Sequence, residues 1–263
     1  MKGNLEKHKP TVYDMWGRIG ITEHPGGVNA TRKLIELCGI KPNQVVIDIG
    51  CGTGYTACLL AKEYAAQVIA VDINLKVFRW ATRRILKEGV GDKVTLVGAD
   101  AQELPFATNA FDAVIAESVL VFCDPRRVAS EAFRILKPGV GFGINELTYF
   151  KPPPDWLPAL FSELTAGMNV QILPEGGWRA VFGEAGFGNL YSGLDKISPW
   201  KQLRSHIMVD GVRRYLTGSA QEIIDPTIRA IIFSKDVLKA VIQVPQLLSC
   251  LGYGLYIGRK PHH

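Results

Sequence analysis

The chain is poor in the features that mark several functional classes. Its five cysteines (Cys38, Cys51, Cys58, Cys123, Cys250) form no CxxC pair and no Cys/His set. That argues against a metal site and fits reduced, mostly buried thiols in a cytoplasmic protein. No dense run of lysine and arginine appears, and the net charge of +5 is mild. Doublets such as Arg83-Arg84 and Arg213-Arg214 read as solvated helix faces, so no nucleic-acid partner is expected. No stretch of 18 residues is apolar throughout, so no membrane span is expected. The amino-terminal MKGNLEKHKP lacks the apolar centre of a signal peptide. There is no internal repeat and no low-complexity linker. With 263 residues, 47% apolar and 21% charged, the chain has the size and composition of one large globular domain.

A glycine-rich turn is present, and its position is informative. Val45-Val46-Ile47-Asp48-Ile49 is a buried-strand pattern that breaks into Gly50-Cys51-Gly52-Thr53-Gly54, and a helix pattern follows from Tyr55 to Ala66. A strand, a glycine turn and a helix amino terminus form the nucleotide-cradling corner of a doubly wound α/β sheet. The dinucleotide fingerprint G-x-G-x-x-G would need glycine where Tyr55 stands, so the corner suits an adenosyl group rather than a pyrophosphate. Three further apolar runs end in acids: Val68 to Asp72, Val94 to Ala101 with Asp100, and Phe111 to Glu117. An acid ending the second strand is placed to accept both ribose hydroxyls. Ala132 to Gly139 reads as a helix stopped by Pro138-Gly139, ahead of a strand from Val140 to Asn145. The alternation of strand and helix through residue 150 predicts a parallel sheet with right-handed crossovers.

These blocks, DIGCGTG (Asp48–Gly54), VIAVDIN (Val68–Asn74), GADAQELPF (Gly98–Phe106), FDAVIAESVLVF (Phe111–Phe122) and RILKPGVGF (Arg134–Phe142), resemble the class I S-adenosylmethionine-dependent methyltransferases, in particular their small-molecule branch. The resemblance covers residues 26–150 well and the closing strands loosely. It implies a Rossmann-like, mostly parallel seven-stranded sheet with an antiparallel closing strand. It implies S-adenosyl-L-methionine as cofactor, bound by Asp48, Gly50, Cys51, Gly52 and Gly54 at its methionine portion, by Asp72 and Ile73 at the ribose, by Asp100 and Ala101 at the adenine, and by Glu117 beside the sulfonium. Many relatives carry a histidine pair where Val121 and Phe122 stand here, so that loop offers no base. On the same resemblance, an aromatic-bearing amino-terminal segment folds over the cofactor, Tyr13 covers the site, and Gly26 and Gly27 contact the cofactor.

The whole chain reads as one domain: an amino-terminal cap (1–30), a cofactor-binding core (31–150), cap or lid segments (151–173 and 199–249) and a closing strand (250–260). Lys151 and three prolines interrupt the chain after the core. A helix over 155–167 follows, with Trp156, Leu157, Leu160, Phe161 and Leu164 on one side. Then come a helix from Pro174 to Ala185 and strands over Phe187–Ile197 and Leu251–Arg259. In the insert, Ile228, Ile231, Ile232, Lys235, Leu238, Val241 and Ile242 follow helical spacing. It stands open as a substrate lid, as padding or a dimer surface, or as a membrane-surface helix. The oligomeric state is open too.

The expected function is methyl transfer to a small molecule, with Trp156, Phe161, Trp178, Trp200 and Phe233 pointing to an acceptor of hydrophobic or aromatic character. Catalytic candidates are Glu117, His24 and Tyr13, with Glu146 as a further base. Histidine titrates near neutrality, although His24 also fits a packing or turn-capping role. The alternative function is a non-catalytic adenosyl-binding module that recruits a protein partner through its insert. A nicotinamide-dependent oxidoreductase is disfavoured by Tyr55.

Overall fold

The computed structural model describes residues 24–164, 170–198 and 248–262. Tyr13, Trp200, Phe233 and the helix expected over Ile228–Ile242 therefore lie outside the described residues. Among the described residues, eight strands make one sheet: β1 (Val45–Ile49), β2 (Gln67–Asp72), β3 (Val94–Gly98), β4 (Phe111–Glu117), β5 (Leu136–Tyr149), β6 (Leu173–Pro174), β7 (Gly188–Lys196) and β8 (Leu251–Arg259). The order is 3-2-1-4-5-8-7, and the two-residue β6 pairs with β5 off this path. Strands β1 to β5 pair in parallel. β8 runs antiparallel to both β5 and β7, as expected of the closing strand.

Among the described residues, six α-helices cover the two faces: α1 (Gly27–Cys38), α2 (Tyr55–Glu63), α3 (Phe78–Glu88), α4 (Pro125–Ile135), α5 (Trp156–Leu164) and α6 (Glu175–Glu184). Successive strand residues point to opposite faces, so the central strands feed two cores. Ile47 and Ile49 of β1, with Val114 and Ala116 of β4, pack under α4 and α6. Val46 of β1, with Ala113 and Ile115 of β4, packs under α1 and α2. Helix cover on both faces is why β1 and β4 read as continuous apolar runs rather than alternating ones.

The sequence reading needs three corrections. The sequence pattern gives a helix over Ala30–Cys38, but α1 begins at Gly27, because Gly26 and Gly27 both take positive φ (76° and 64°) and turn the chain into the helix. A Cβ on Gly26 would also overlap the ring of Tyr253. Secondly, Pro138-Gly139 does not stop a helix. α4 ends at Ile135 and β5 starts at Leu136, with the register against β4 shifting between Phe111 and Ala113. The chain end makes this bulge possible: Gly139 N–H donates to Lys260 O (2.7 Å) and Lys260 N–H to Val140 O (3.0 Å). The third concerns Trp178, which belongs to the core and does not line the cavity as an acceptor-facing aromatic would. It is fully buried, and its Nε1 donates to Leu147 O at 3.1 Å. α6 packs its apolar side on the sheet, so an indole there joins the interior. The strand over Gly188–Lys196 and the helix over Glu175–Glu184 fall where expected.

Candidate functional site

Strand order reverses between β1 and β4, and ligands of open α/β sheets bind at the carboxyl ends beside such a reversal. The turn after β1 lies there. Gly50 and Cys51 N–H groups both donate to Val71 O of β2 (2.7 and 2.9 Å), and Gly54 N–H closes back on Cys51 O (2.8 Å). Gly50, Gly52 and Gly54 take φ of 70°, 50° and 75°, which side chains rarely adopt. The three glycines serve different ends. A Cβ on Gly50 would overlap Val119 Cγ2, and one on Gly54 would crowd Ala81 of α3, but one on Gly52 would meet only the Gly50 carbonyl oxygen at 4.0 Å. Gly52 thus faces open space, and Gly54 serves close packing of α2 against α3.

Asp72 ends β2 and grips this turn. Its Oδ2 accepts from Gly52 N–H (2.9 Å) and its Oδ1 from Asn74 N–H (2.8 Å). Burial pushes its carboxyl above the usual range, against these backbone hydrogen bonds. Each oxygen keeps a further lone pair for a ligand hydroxyl. Asp100, past the end of β3, accepts from Gln102 N–H at 2.9 Å.

A cavity of about 540 Å³ opens over these groups, within the usual range for small-molecule sites. Gly50, Cys51, Gly52 and Thr53 form its floor. Asp72, Ile73, Asn74, Asp100, Ala101 and Gln102 form one end. His24, Pro25, Glu117, Val119, Val121, Phe122, Leu147 and Ile197 line the other. The structure therefore brings nine of the expected residues together: His24, Gly50, Cys51, Gly52, Asp72, Ile73, Asp100, Ala101 and Glu117. It leaves Asp48, Gly26, Gly27 and Gly54 outside the lining. An adenosyl ligand fits what is present: a turn with open space at Gly52, an acid held at the second strand end, and an exposed Ile73 beside it.

Glu117, at the end of β4, is buried and takes four donors. Thr31 Oγ1 of α1 donates to Oε2 (2.9 Å), Thr56 Oγ1 of α2 to Oε1 (2.9 Å), and Asn145 Nδ2 of β5 to Oε2 (3.1 Å). His24 Nδ1 lies 3.0 Å from Oε1. Burial alone would raise its carboxyl, but the charge of His24 and the hydrogen bonds from His24, Asn145 and Thr56 outweigh it and hold it below the usual range. Asn145 Nδ2 also donates to Pro25 O at 2.9 Å, and Gly27 N–H to His24 O at 2.9 Å. The glycine-glycine turn is thereby tied to the sheet. Two other buried acids behave oppositely. Asp48 and Glu146 are each pushed up to about 8, chiefly by burial, and each has one oxygen without a hydrogen-bond partner. Glu146 Oε1 accepts from Val119 and Leu120 N–H (2.8 and 2.7 Å), so it shapes the turn leaving β4.

Sequence reasoning missed Thr31, Thr56 and Asn145. The signal for Asn145 was its place in the strand next to β4, where it pairs directly with Glu117. Among the described residues no cluster of side chains suits a metal ion, the five cysteines are free thiols, and no helix is long and apolar enough to cross a membrane.

Comparison with known proteins agrees with this geometry. Residues 47–143 match the family described as a methyltransferase domain. A sterol 24-C-methyltransferase, erg6 of Aspergillus fumigatus, is 38% identical over 114 residues; the match covers 43% of this chain and 30% of that enzyme's length. Among solved structures, the [4+2]-cyclase SpnF superposes with a TM-score of 0.72 at 21% identity, covering 96% of this chain and 94% of the cyclase. The phosphoethanolamine N-methyltransferase 2 of Haemonchus contortus, in complex with S-adenosylhomocysteine, superposes with a TM-score of 0.71 at 20% identity, covering 98% of this chain and 59% of that one. At such identities the structural likeness speaks for the fold. The likeness to a methyltransferase domain is thus carried by residues 47–143, which include the glycine turn and the strand ends that border the cavity.

Proposed function

We propose that the protein transfers the methyl group of S-adenosylmethionine to a small molecule with an apolar body, in the cavity between the glycine turn and the turn after β4. The observation that carries this reading is that Gly52, Asp72 and Asp100 line a single cavity. Asp72 would hold the ribose hydroxyls, and Asp100 with Ala101 the adenine. Gly50, Cys51 and Gly52 would lie along the methionine portion, and Ile73 would cover the ring. Asp48, Gly54, Gly26 and Gly27 would shape the wall from behind it.

The acceptor end fits an apolar partner. Pro25, Val119, Val121, Phe122, Leu147 and Ile197 line it, and similarity to a sterol 24-C-methyltransferase points the same way. Methyl transfer is an in-line displacement, so the protein's part is to align the nucleophile and exclude water. Isothermal titration with S-adenosylhomocysteine tests the reading. We expect binding in the micromolar range or tighter, competed by S-adenosylmethionine. The absence of heat at high protein concentration, or preference for NADH, would refute it. The recruiting-module alternative rests on the insert, which lies outside the described residues.

A further inference from the structure

The turn that leaves β4 is held from outside itself. Ser118 takes φ of 59°, a left-handed conformation that a residue with a side chain keeps only where its surroundings impose it. Its N–H donates to Asn145 O of β5 at 2.9 Å. The chain then makes a single tight helical turn over Leu120–Phe122, closed by Phe122 N–H on Val119 O (3.0 Å) and Cys123 N–H on Leu120 O (3.2 Å). The first amides of such a turn have no acceptor within it. Glu146, the next residue along β5, supplies one. Its Oε1 accepts from Val119 N–H and Leu120 N–H at 2.8 and 2.7 Å. Two consecutive residues of β5 thus fix three consecutive amides of the turn.

The same turn is part of the cavity. Ser118, Val119, Val121 and Phe122 line it, whereas Glu146 is fully buried and outside the lining. On its other side the turn is packed as well: Leu120 is fully buried, and Val121 O accepts from Gln171 N–H at 2.7 Å. A carboxyl is a costly group to use here, because Glu146 Oε2 has no hydrogen-bond partner and burial of an unpartnered polar atom is unfavourable. What the arrangement provides is placement: a side chain reaching from the sheet sets where the turn stands. The cofactor end is held independently of β5. Gly50 and Cys51 N–H rest on Val71 O, and Gly52 N–H rests on Asp72.

We propose that Glu146 is a positioning residue for the acceptor end of the cavity: through the amides of Val119 and Leu120 it sets the width of the end lined by Pro25, Val119, Val121, Leu147 and Ile197, and with it the shape of apolar acceptor that fits. The proposal rests on the methyl-transfer reading of the cavity.

Three variants separate placement from mere filling of space. Burial pushes the Glu146 carboxyl up to about 8, so at pH 7 it is mainly the protonated acid, and Glu146→Gln matches it in shape while keeping an acceptor. Glu146→Leu fills similar space and accepts nothing. Glu146→Asp is one methylene shorter. Amide hydrogen exchange is read first, without ligand. Val119 and Leu120 N–H should be protected in the wild-type protein and in Glu146→Gln, and should exchange at least about 10-fold faster in the other two. The acceptor end is probed with N-phenyl-1-naphthylamine, a neutral apolar dye whose emission rises out of water, added to protein saturated with S-adenosylhomocysteine. The dye should shift the Val119 and Val121 amide signals in ¹H–¹⁵N spectra. Its affinity should fall about 10-fold in Glu146→Leu and Glu146→Asp, the scale of one methylene in an apolar pocket, and stay within about two-fold in Glu146→Gln. Affinity for S-adenosylhomocysteine, from calorimetry, should stay within about three-fold throughout.

Circular dichroism shows which variants are folded, and the wild-type and Glu146→Gln measurements stand whether or not the other two fold. Wild-type Val119 and Leu120 amides that exchange as freely as exposed loop amides overturn the proposal. So do a dye affinity lost equally in Glu146→Gln, a dye affinity unmoved in Glu146→Leu and Glu146→Asp, a loaded wild-type protein that binds no dye, or a fall in S-adenosylhomocysteine affinity as large as the fall for the dye. Failure of the wild-type protein to bind S-adenosylhomocysteine would sink the cofactor reading instead, and the exchange rates, read without ligand, would still judge the hold of Glu146 on the turn.

Discussion

Asp72 Oδ2 accepts a hydrogen bond from the backbone N–H of Gly52 at 2.9 Å. A carboxylate at the end of β2 thus holds the turn that follows β1, and one side chain both shapes the floor of the cavity and borders it. Losing it should weaken the ligand twice over, by removing a ribose partner and by loosening the turn. Asp72→Ala should bind S-adenosylhomocysteine about 100-fold less tightly, the scale of one or two charge-assisted hydrogen bonds. Calorimetric titration checks this, and unchanged affinity would show that the ribose lies elsewhere.

Gly50 meets Val119 where the turn after β1 faces the turn after β4. A Cβ there would overlap Val119 Cγ2, and φ is 70°. Gly50→Ala should therefore cost about 2–4 kcal/mol, from strain and overlap together. Adding Val119→Ala should recover part of that loss and leave the backbone strain. Urea denaturation of the two variants separates these contributions. A double variant no more stable than Gly50→Ala would contradict the contact.

Stability should fall between pH 5 and pH 8. Asp48 and Glu146, with ordinary values of 3.8 and 4.5, are both pushed up to about 8, chiefly by burial. Over that window the folded protein keeps protons that the unfolded chain has lost. Their contribution is therefore full below about pH 4 and is lost as pH rises through the folded value. Glu117, held low, works the other way, and its contribution is lost on acidification below its folded value. Glu146→Gln keeps an acceptor for Val119 and Leu120 N–H and removes one titration. The melting temperature of Glu146→Gln minus that of the wild type should increase from pH 5 to pH 8. A difference independent of pH would contradict the assignment.

Lys260 should matter to stability although it is far from the cavity. Its ammonium donates to Asn109 Oδ1 (2.7 Å), Phe133 O (2.8 Å) and Leu136 O (2.8 Å), and it lies over the Phe133 ring. Lys260→Met keeps much of the aliphatic stem and leaves these acceptors without their partner. A loss of about 3 kcal/mol is expected from chemical denaturation, with affinity for S-adenosylhomocysteine nearly unchanged.

The parts of the fold legible in the sequence are those specified locally. Val45 to Gly54 announces its strand and turn because a short apolar run meets three glycines, and the acids at 72, 100 and 117 follow further strand patterns. What could not be read depends on distant partners. Glu117 read as the acid ending a strand beside the sulfonium, with no sign of what holds it. Its donors Thr31, Thr56 and Asn145 lie 86, 61 and 28 residues away, and no periodicity links them. Pro138-Gly139 looked like a helix stop because the residue that holds it as a bulge, Lys260, comes from the other end of the chain. Trp178 read as facing an apolar acceptor because aromatic content alone does not say which helix face meets the sheet. The start of α1 at Gly27 runs against helix propensity and follows from the tie between Asn145 and Pro25.

A crystal structure of the full chain with S-adenosylhomocysteine tests the central claim most directly. The account predicts the ribose hydroxyls on Asp72, the adenine edge on Asp100 and Ala101, and the sulfur between Gly50 and the His24–Glu117 pair. A ligand seated away from the Gly50–Gly54 turn, or Asp72 still bonded only to backbone with the ribose turned from it, would contradict it.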